Sequence, residues 1–233
     1  MEDEILKHGR KAYHELKNEQ HTVWKKIKEI FIEILIIVFA VTISIWLHNR
    51  SEHRQQQNEV KDFLNDLKDD LQQDIQSISA TKDSVVKKNK SYYDFLKVSN
   101  NLADTANKKK LSYSFSTGIV TSKITNGDYE GFKSSGKIGF IENKKLKKTI
   151  LKYYQETTPS ILELEKANTT QILKIIDYVI ENNNAGMNLI KDVKLKLMLN
   201  FYLGESETII SQYDDAVQQA HDIINEINKE GKN

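Results

Sequence analysis

Between Ile30 and Leu47 the chain reads IFIEILIIVFAVTISIWL, a run of 18 residues with a single charge, Glu33. No other stretch restricts the possible folds as strongly. At about 1.5 Å per residue a helix of this length covers roughly 27 Å, close to the roughly 30 Å hydrocarbon layer that a spanning helix must cross. Its apolar side chains would face every direction, so either lipid or a large core must cover it. Trp24 and Trp46 stand near its ends. Lys25, Lys26 and Lys28 precede the run and His48, Asn49 and Arg50 follow it, the aromatic and basic pattern of a membrane interface. The sequence therefore predicts a transmembrane helix over 30–47 with Trp24 and Trp46 as interface anchors. A cleavable signal fits less well, because 29 mostly polar residues come first and no clear Ala-x-Ala site follows.

Orientation follows from flanking charge. Residues 10–29 carry six cations (Arg10, Lys11, Lys17, Lys25, Lys26, Lys28), against Arg50, Arg54 and Lys61 in the 20 residues after the span, which predicts the N-terminus inside and the C-terminal part outside. At 100° per residue, Glu33, Ala40 and Ser44 fall on one stripe of the helix. Small residues there would admit a second helix, with Glu33 protonated or paired, making the stripe a candidate helix-contact face. Alternatively Glu33, one turn inside the boundary, snorkels to the surface.

Beyond the span, one proline and nine glycines in 233 residues read as long uninterrupted helices. Val60, Leu64, Leu67, Leu71, Ile75 and Ile78 repeat at helical spacing, with no Pro or Gly between Ile30 and Ser79, so the anchor and the first domain helix are expected to be one. A second helix is expected over 82–103, and an irregular stretch from Leu111 to Ile141 is the place expected for any ligand or partner loop. Leu146, Ile150 and Tyr153 begin another helix that continues through Ile161, Ile172 and Val179. Pro159 within it permits either a kink or a restart capped by Thr158. After a turn at Asn182, Asn183, Asn184 and Gly186, a last helix is expected over about 190–229. Its seam is Ile210, Tyr213, Val217, Ala220, Ile224 and Ile227, and Gly204 is its weak point. The predicted fold is all-α, a single transmembrane helix continuing into an antiparallel helical bundle. Its divisions are a short, helical N-terminal cytoplasmic segment (1–29), the span (30–47) and an extramembrane bundle domain (48–233).

Chemical motifs are sparse. GFKSSGKIG, Gly131 to Gly139, spells Gly-x-x-x-x-Gly-Lys, but Ile138 stands where a phosphate-binding loop needs a hydroxyl for magnesium, and no buried strand feeds it. A structural reading accounts for it better: Thr125 and Asp128 cap a short helix, Gly136 ends it in the left-handed conformation, KIGFIE forms an extended link, and Asn143 caps the next helix. With no cysteine and six histidines lacking any i, i+4 pair, no metal site is expected. Asp62, Asp66, Asp69, Asp70 and Asp74 read as a solvated helix face rather than a cation cage. Lys144, Lys145, Lys147, Lys148 and Lys152 read as a solvated face too. With Lys plus Arg at 34 against 33 Asp plus Glu, no nucleic-acid partner is expected.

EILIIVFAVTISIWLHNRSE (Glu33 to Glu52), then FLNDLKDDLQQDI, then DYEGFKSSGKIGFIENKKLKKTILKYY together resemble an uncharacterised family of small single-pass membrane proteins from Bacteroidetes-type bacteria. The resemblance covers most of residues 25–155. It departs at the membrane exit, where His48, Asn49, Arg50, Ser51 and Glu52 replace an Asn-Asn-Trp-Asn-Glu type run and retain only Asn49 and Glu52. It agrees with a Gram-negative inner-membrane location, where the outside C-terminal part expected from flanking charge would be periplasmic, and it supplies no activity. The expected function is that of a non-enzymatic, membrane-anchored interaction or scaffolding module. It needs no cofactor, and its expected partners are the lipid bilayer and either a second copy or another membrane protein. The alternative is a ligand-sensing periplasmic bundle that acts through a partner.

Overall fold

The structure is a computed structural model that describes residues 2–100, 117–182 and 189–231, with side chains from residue 23 onward. Among these residues all regular structure is helical: α1 (Glu2–Asn100), α2 (Gly127–Ser134), α3 (Lys144–Lys152), α4 (Thr158–Glu181) and α5 (Val193–Glu230). The chain divides into two compact units, Met1–Gln56 and Gln57–Asn233.

The first unit is helical from Glu2 onward, and every described side chain from Val23 to Gln55 is exposed. It contains one helix stretch long and apolar enough, by length and composition, to cross a membrane. Thr42 and Ser44 donate their hydroxyls to the carbonyls of Val38 and Ala40, at 2.7 and 2.9 Å, so their polar groups are satisfied inside their own helix. The guanidinium of Arg50 lies 5.4 Å from the Trp46 ring centre.

In the second unit four helices, α1, α3, α4 and α5, pack as a bundle. The register is given by side-chain pairs. Lys68 donates to Asn228, Tyr93 to Glu207 and Lys196 to the Ser99 carbonyl, so α5 runs antiparallel to α1. Thr157 donates to Gln219 and Tyr213 to Glu165, so α5 is antiparallel to α4 as well. The expected core stripe of α1 is buried at Val60, Leu64, Leu67, Leu71 and Ile78, and Ile75 packs against the same cluster. Each such buried leucine contributes about 1.5–3 kcal/mol relative to exposure.

Three expectations about helix layout need correction. Residues 82–100 are not a separate helix but the end of α1, because nothing between Ser79 and Lys82 interrupts its hydrogen-bond ladder. The most buried seam of α5 is Ile209, Tyr213, Ala216, Ala220, Ile223 and Ile227, while Ile210, Val217 and Ile224 are only partly buried beside it. Pro159 does not restart its helix behind a Thr158 cap. A π turn, Tyr153–Thr157, joins α3 to α4, and both Thr157 and Thr158 keep helical backbone angles. Proline lacks an N–H and its ring clashes with the carbonyl four residues back; a wider turn just before it relieves both problems.

The GFKSSGKIG region follows its structural reading with two changes. Gly136, at φ 76°, ends α2 in the left-handed region, and Asn143 accepts the Leu146 N–H at 3.0 Å as the cap of α3. Lys137–Phe140, however, is a 3₁₀ turn rather than an extended link. Nor does Thr125 cap α2: Asn126 holds that position without a side-chain bond.

Candidate functional site

Residues 117–126 have no regular structure, yet they run back along α1 from Lys88 to Asp74. Gly118 lies against Lys88, Lys123 against Ser77 and Thr125 against Asp74. On α1 the interval from 74 to 88 spans about 21 Å. The seven steps from 118 to 125 reach about 23 Å only when extended. Lys88 and Asp74 reach this strap through their side chains, so it need not be fully stretched, but it has no regular structure and its buried N–H and C=O groups must find partners elsewhere.

Side chains of the neighbouring helices supply them. Ser122 N–H donates to both Glu165 oxygens, at 2.9 and 3.0 Å, and its hydroxyl donates to Oε1 at 2.6 Å. Tyr213 donates to the same Oε1 at 2.9 Å. Thr125 N–H donates to Asp74 Oδ1 at 2.7 Å, while Tyr153 donates to Oδ2 at 3.1 Å. Lys123 N–H donates to Ser77 Oγ at 2.7 Å, and Lys88 Nζ donates to the Gly118 carbonyl. Burial raises the Asp74 carboxyl to about 6, against the Thr125 and Tyr153 hydrogen bonds that pull it down. Burial likewise lowers the Lys88 ammonium to about 8. The Tyr153 and Tyr154 hydroxyls are pushed far up, first by burial and then by the charge on Asp74.

These groups form a polar layer between two apolar clusters. On α1, Lys88 and Asn89 separate Val85 from Tyr92; on α4, Glu165 and Asn168 separate Ile161 from Ile172; on α5, Ser206 separates Leu203 from Ile209. Burying a carboxylate and an ammonium is unfavourable unless both are hydrogen-bonded, and the strap provides those bonds. The arrangement fixes a segment in place: both oxygens of Glu165 and both of Asp74 already accept from structural N–H and O–H donors.

A second concave feature lies between α1 and α2. It is a groove of about 460 Å³ that opens to solvent, walled by Glu59, Asp62, Asp66 and Asp128. On it Phe63 and Phe132 stack with ring centres 4.0 Å apart. Below, Asp70 is buried, and its carboxyl is raised by that burial and by the charges of Asp128, Asp66 and Asp69.

The expected solvated aspartate face is thus wrong at two of its five positions, since Asp70 and Asp74 are buried. The stripe residues Glu33, Ala40 and Ser44 and the tryptophans Trp24 and Trp46 all lie in the exposed first unit, with Ala40 and Ser44 joined by the hydroxyl bond described above. His221 is exposed and His48 lies 4.0 Å from Glu52, while His8, His14 and His21 fall outside the described side chains. In the lysine cluster Lys145 pairs with Glu226 at 3.8 Å and Lys147 donates to the Gly139 carbonyl. Among the described residues no three His, Asp or Glu groups converge as they would around a metal ion. Sequence reasoning missed Glu165, Asn168 and Lys88. A signal was present: Ile161, Glu165, Asn168, Ile172 and Ile175 step by 4, 3, 4 and 3, which puts two polar residues at core positions. Of the irregular stretch expected from Leu111 to Ile141, residues 111–116 lie outside the described residues.

No family model, curated protein or solved structure matches the chain.

Proposed function

We propose that the chain is a membrane-anchored, non-enzymatic helical protein whose bundle serves as an interaction or scaffolding module. The observation that carries this reading is the wholly exposed apolar segment of α1 around residues 30–47, for which lipid is the natural cover. The charge bias around it favours an N-terminus in the cytoplasm and a bundle in the periplasm, and the resemblance of residues 25–155 to small single-pass inner-membrane proteins agrees. Glu33, Ala40 and Ser44 are the face through which a second copy or another membrane protein would approach. Since Ser44 is satisfied by its own helix, that approach would rest on close packing more than on a hydroxyl bond.

The test is affinity capture of the intact protein from its own membrane, with a cysteine at Ala40 for crosslinking. The reading predicts that the protein resists extraction by alkaline carbonate and gives one dominant crosslinked species. Release into the soluble fraction would overturn the anchor, and crosslinks no different from those of a cysteine on the opposite face would overturn the contact stripe. A reporter after Asn233 tests the orientation, which fails if the reporter is active only in the cytoplasm.

A second reading, a ligand-sensing bundle, is favoured by the groove on which Phe63 and Phe132 stack, because it is large enough for a small molecule. Its lining carries the carboxylates of Glu59, Asp62, Asp66 and Asp128 against the single ammonium of Lys137, which pairs with Glu59 at 3.2 Å, so the net negative charge would favour a cationic ligand. Screening cationic metabolites for a thermal shift that Asp62→Asn together with Asp66→Asn abolishes would separate it from the first reading.

A further inference from the structure

The polar layer borders a small, partly open cavity lined by Lys88, Glu165, Asn168, Tyr202 and Tyr213 among others. The space open to a water-sized sphere is about 10 Å³, at the lower limit for holding one water molecule. Two of its lining groups are deeply buried without partners: Tyr202 Oη and Asn168 Oδ1 have no hydrogen-bond partner in the structure. Burial pushes the Tyr202 hydroxyl up and the adjacent Asn168 side chain opposes that shift, yet neither Tyr202 Oη nor Asn168 Oδ1 completes a hydrogen bond. Leaving a buried donor or acceptor unsatisfied costs about 1–3 kcal/mol each, so two in one cavity call for an occupant.

The lining chemistry selects that occupant. Lys88 presents an ammonium with two N–H groups beyond the one given to Gly118, which repels a cation. Glu165 presents a carboxylate and Asn168 an amide oxygen, which repel an anion. An apolar gas would leave both orphan groups unmet. What remains is a neutral molecule of minimal size that both donates and accepts.

We propose that the bundle contains a built hydration site: one internal water that donates to Asn168 Oδ1 and accepts from Tyr202 Oη, within reach of the Lys88 ammonium. It is the joint where the two apolar clusters meet, and it lets α1, α4 and α5 carry polar side chains at the same level. A water there also gives the Lys88 ammonium a further acceptor in a position where burial otherwise opposes its charge.

The test uses the full-length protein, labelled with nitrogen-15 and reconstituted in nanodiscs. A rotating-frame cross-relaxation experiment reads magnetisation transfer from water to the side-chain amide of Asn168 and to the Tyr202 hydroxyl. The expected result is a direct water cross-peak at both groups, lost in the double variant Asn168→Leu with Tyr202→Phe. Removing both orphan groups together should leave folding nearly unchanged, as read by helical circular dichroism. Should the double variant unfold, Tyr202→Phe alone is used, and loss of the Asn168 cross-peak is again the expected outcome. Absence of the cross-peak in the native protein overturns the proposal, as does its persistence in the variants or a direct Asn168–Tyr202 hydrogen bond with the cavity closed.

Discussion

The carboxylate of Glu165 is bound by the backbone N–H and the hydroxyl of Ser122, a residue 43 positions earlier in the chain. This clasp holds the strap against the middle of the bundle, and because Tyr213 shares Oε1 it joins α5 to the same point. Replacing Glu165 by Leu would bury the Ser122 N–H and the Tyr213 hydroxyl unpaired. We expect a loss of about 2–4 kcal/mol in urea unfolding and much faster amide exchange at Ser122. Glu165→Gln keeps an acceptor and should lose less than half as much. Equal losses in the two variants would mean that the side chain matters for volume and not for its bonds.

Asp74 gives the strap a pH dependence. Its folded carboxyl sits near 6, above the ordinary value of 3.8, so the folded state holds the proton more tightly than the unfolded state does. The resulting stabilisation is fully present below about 4 and is lost as pH rises through 6. Compared with Asp74→Asn, which can still accept from Thr125 and titrates nowhere in this range, the native protein should lose ground between pH 4 and 6.5. Parallel stability curves for the two proteins would sink the assignment. Asp74→Leu, which strands Thr125 N–H and the Tyr153 hydroxyl, should be destabilised throughout the range.

Lys88 has the opposite sign. Its folded ammonium titrates near 8, below the ordinary 10.5, so the folded state releases its proton first and gains stability as pH rises from about 8 to about 10. Measured against Lys88→Met, the native protein should improve over that interval. At pH 7 the variant should be close to neutral in stability, because it removes a buried charge while orphaning the Gly118 carbonyl. A pH-independent difference between the two would show that the amine reaches solvent.

Gly136 isolates a backbone effect. A Cβ there meets nothing within 4 Å, so Gly136→Ala is penalised only by the left-handed φ, by about 1 kcal/mol. Gly139, equally open and without positive φ, is the control, and Gly139→Ala should stay within about 0.5 kcal/mol of native. Similar unfolding midpoints for the two variants would contradict the role given to Gly136.

By itself the sequence determined whatever depends on neighbours within a turn or two. The apolar run from Ile30 to Leu47 needs only its own composition to be read. The stripe from Val60 to Ile78 needs only its spacing, and the stop at Gly136 and the cap at Asn143 only the backbone conformation that each residue type tolerates or completes. Tertiary structure decided the rest, because burial is a property of what lies opposite. Asp74 and Asp70 look solvated along α1, yet a strap and a helix more than 50 residues away cover them, and Glu165 looks misplaced on an apolar stripe until Ser122 arrives. Pro159 looks like a break, but neighbours on both sides hold its helix together across a π turn. Each of these turns on what distant segments bring opposite a residue, which spacing along the chain does not name.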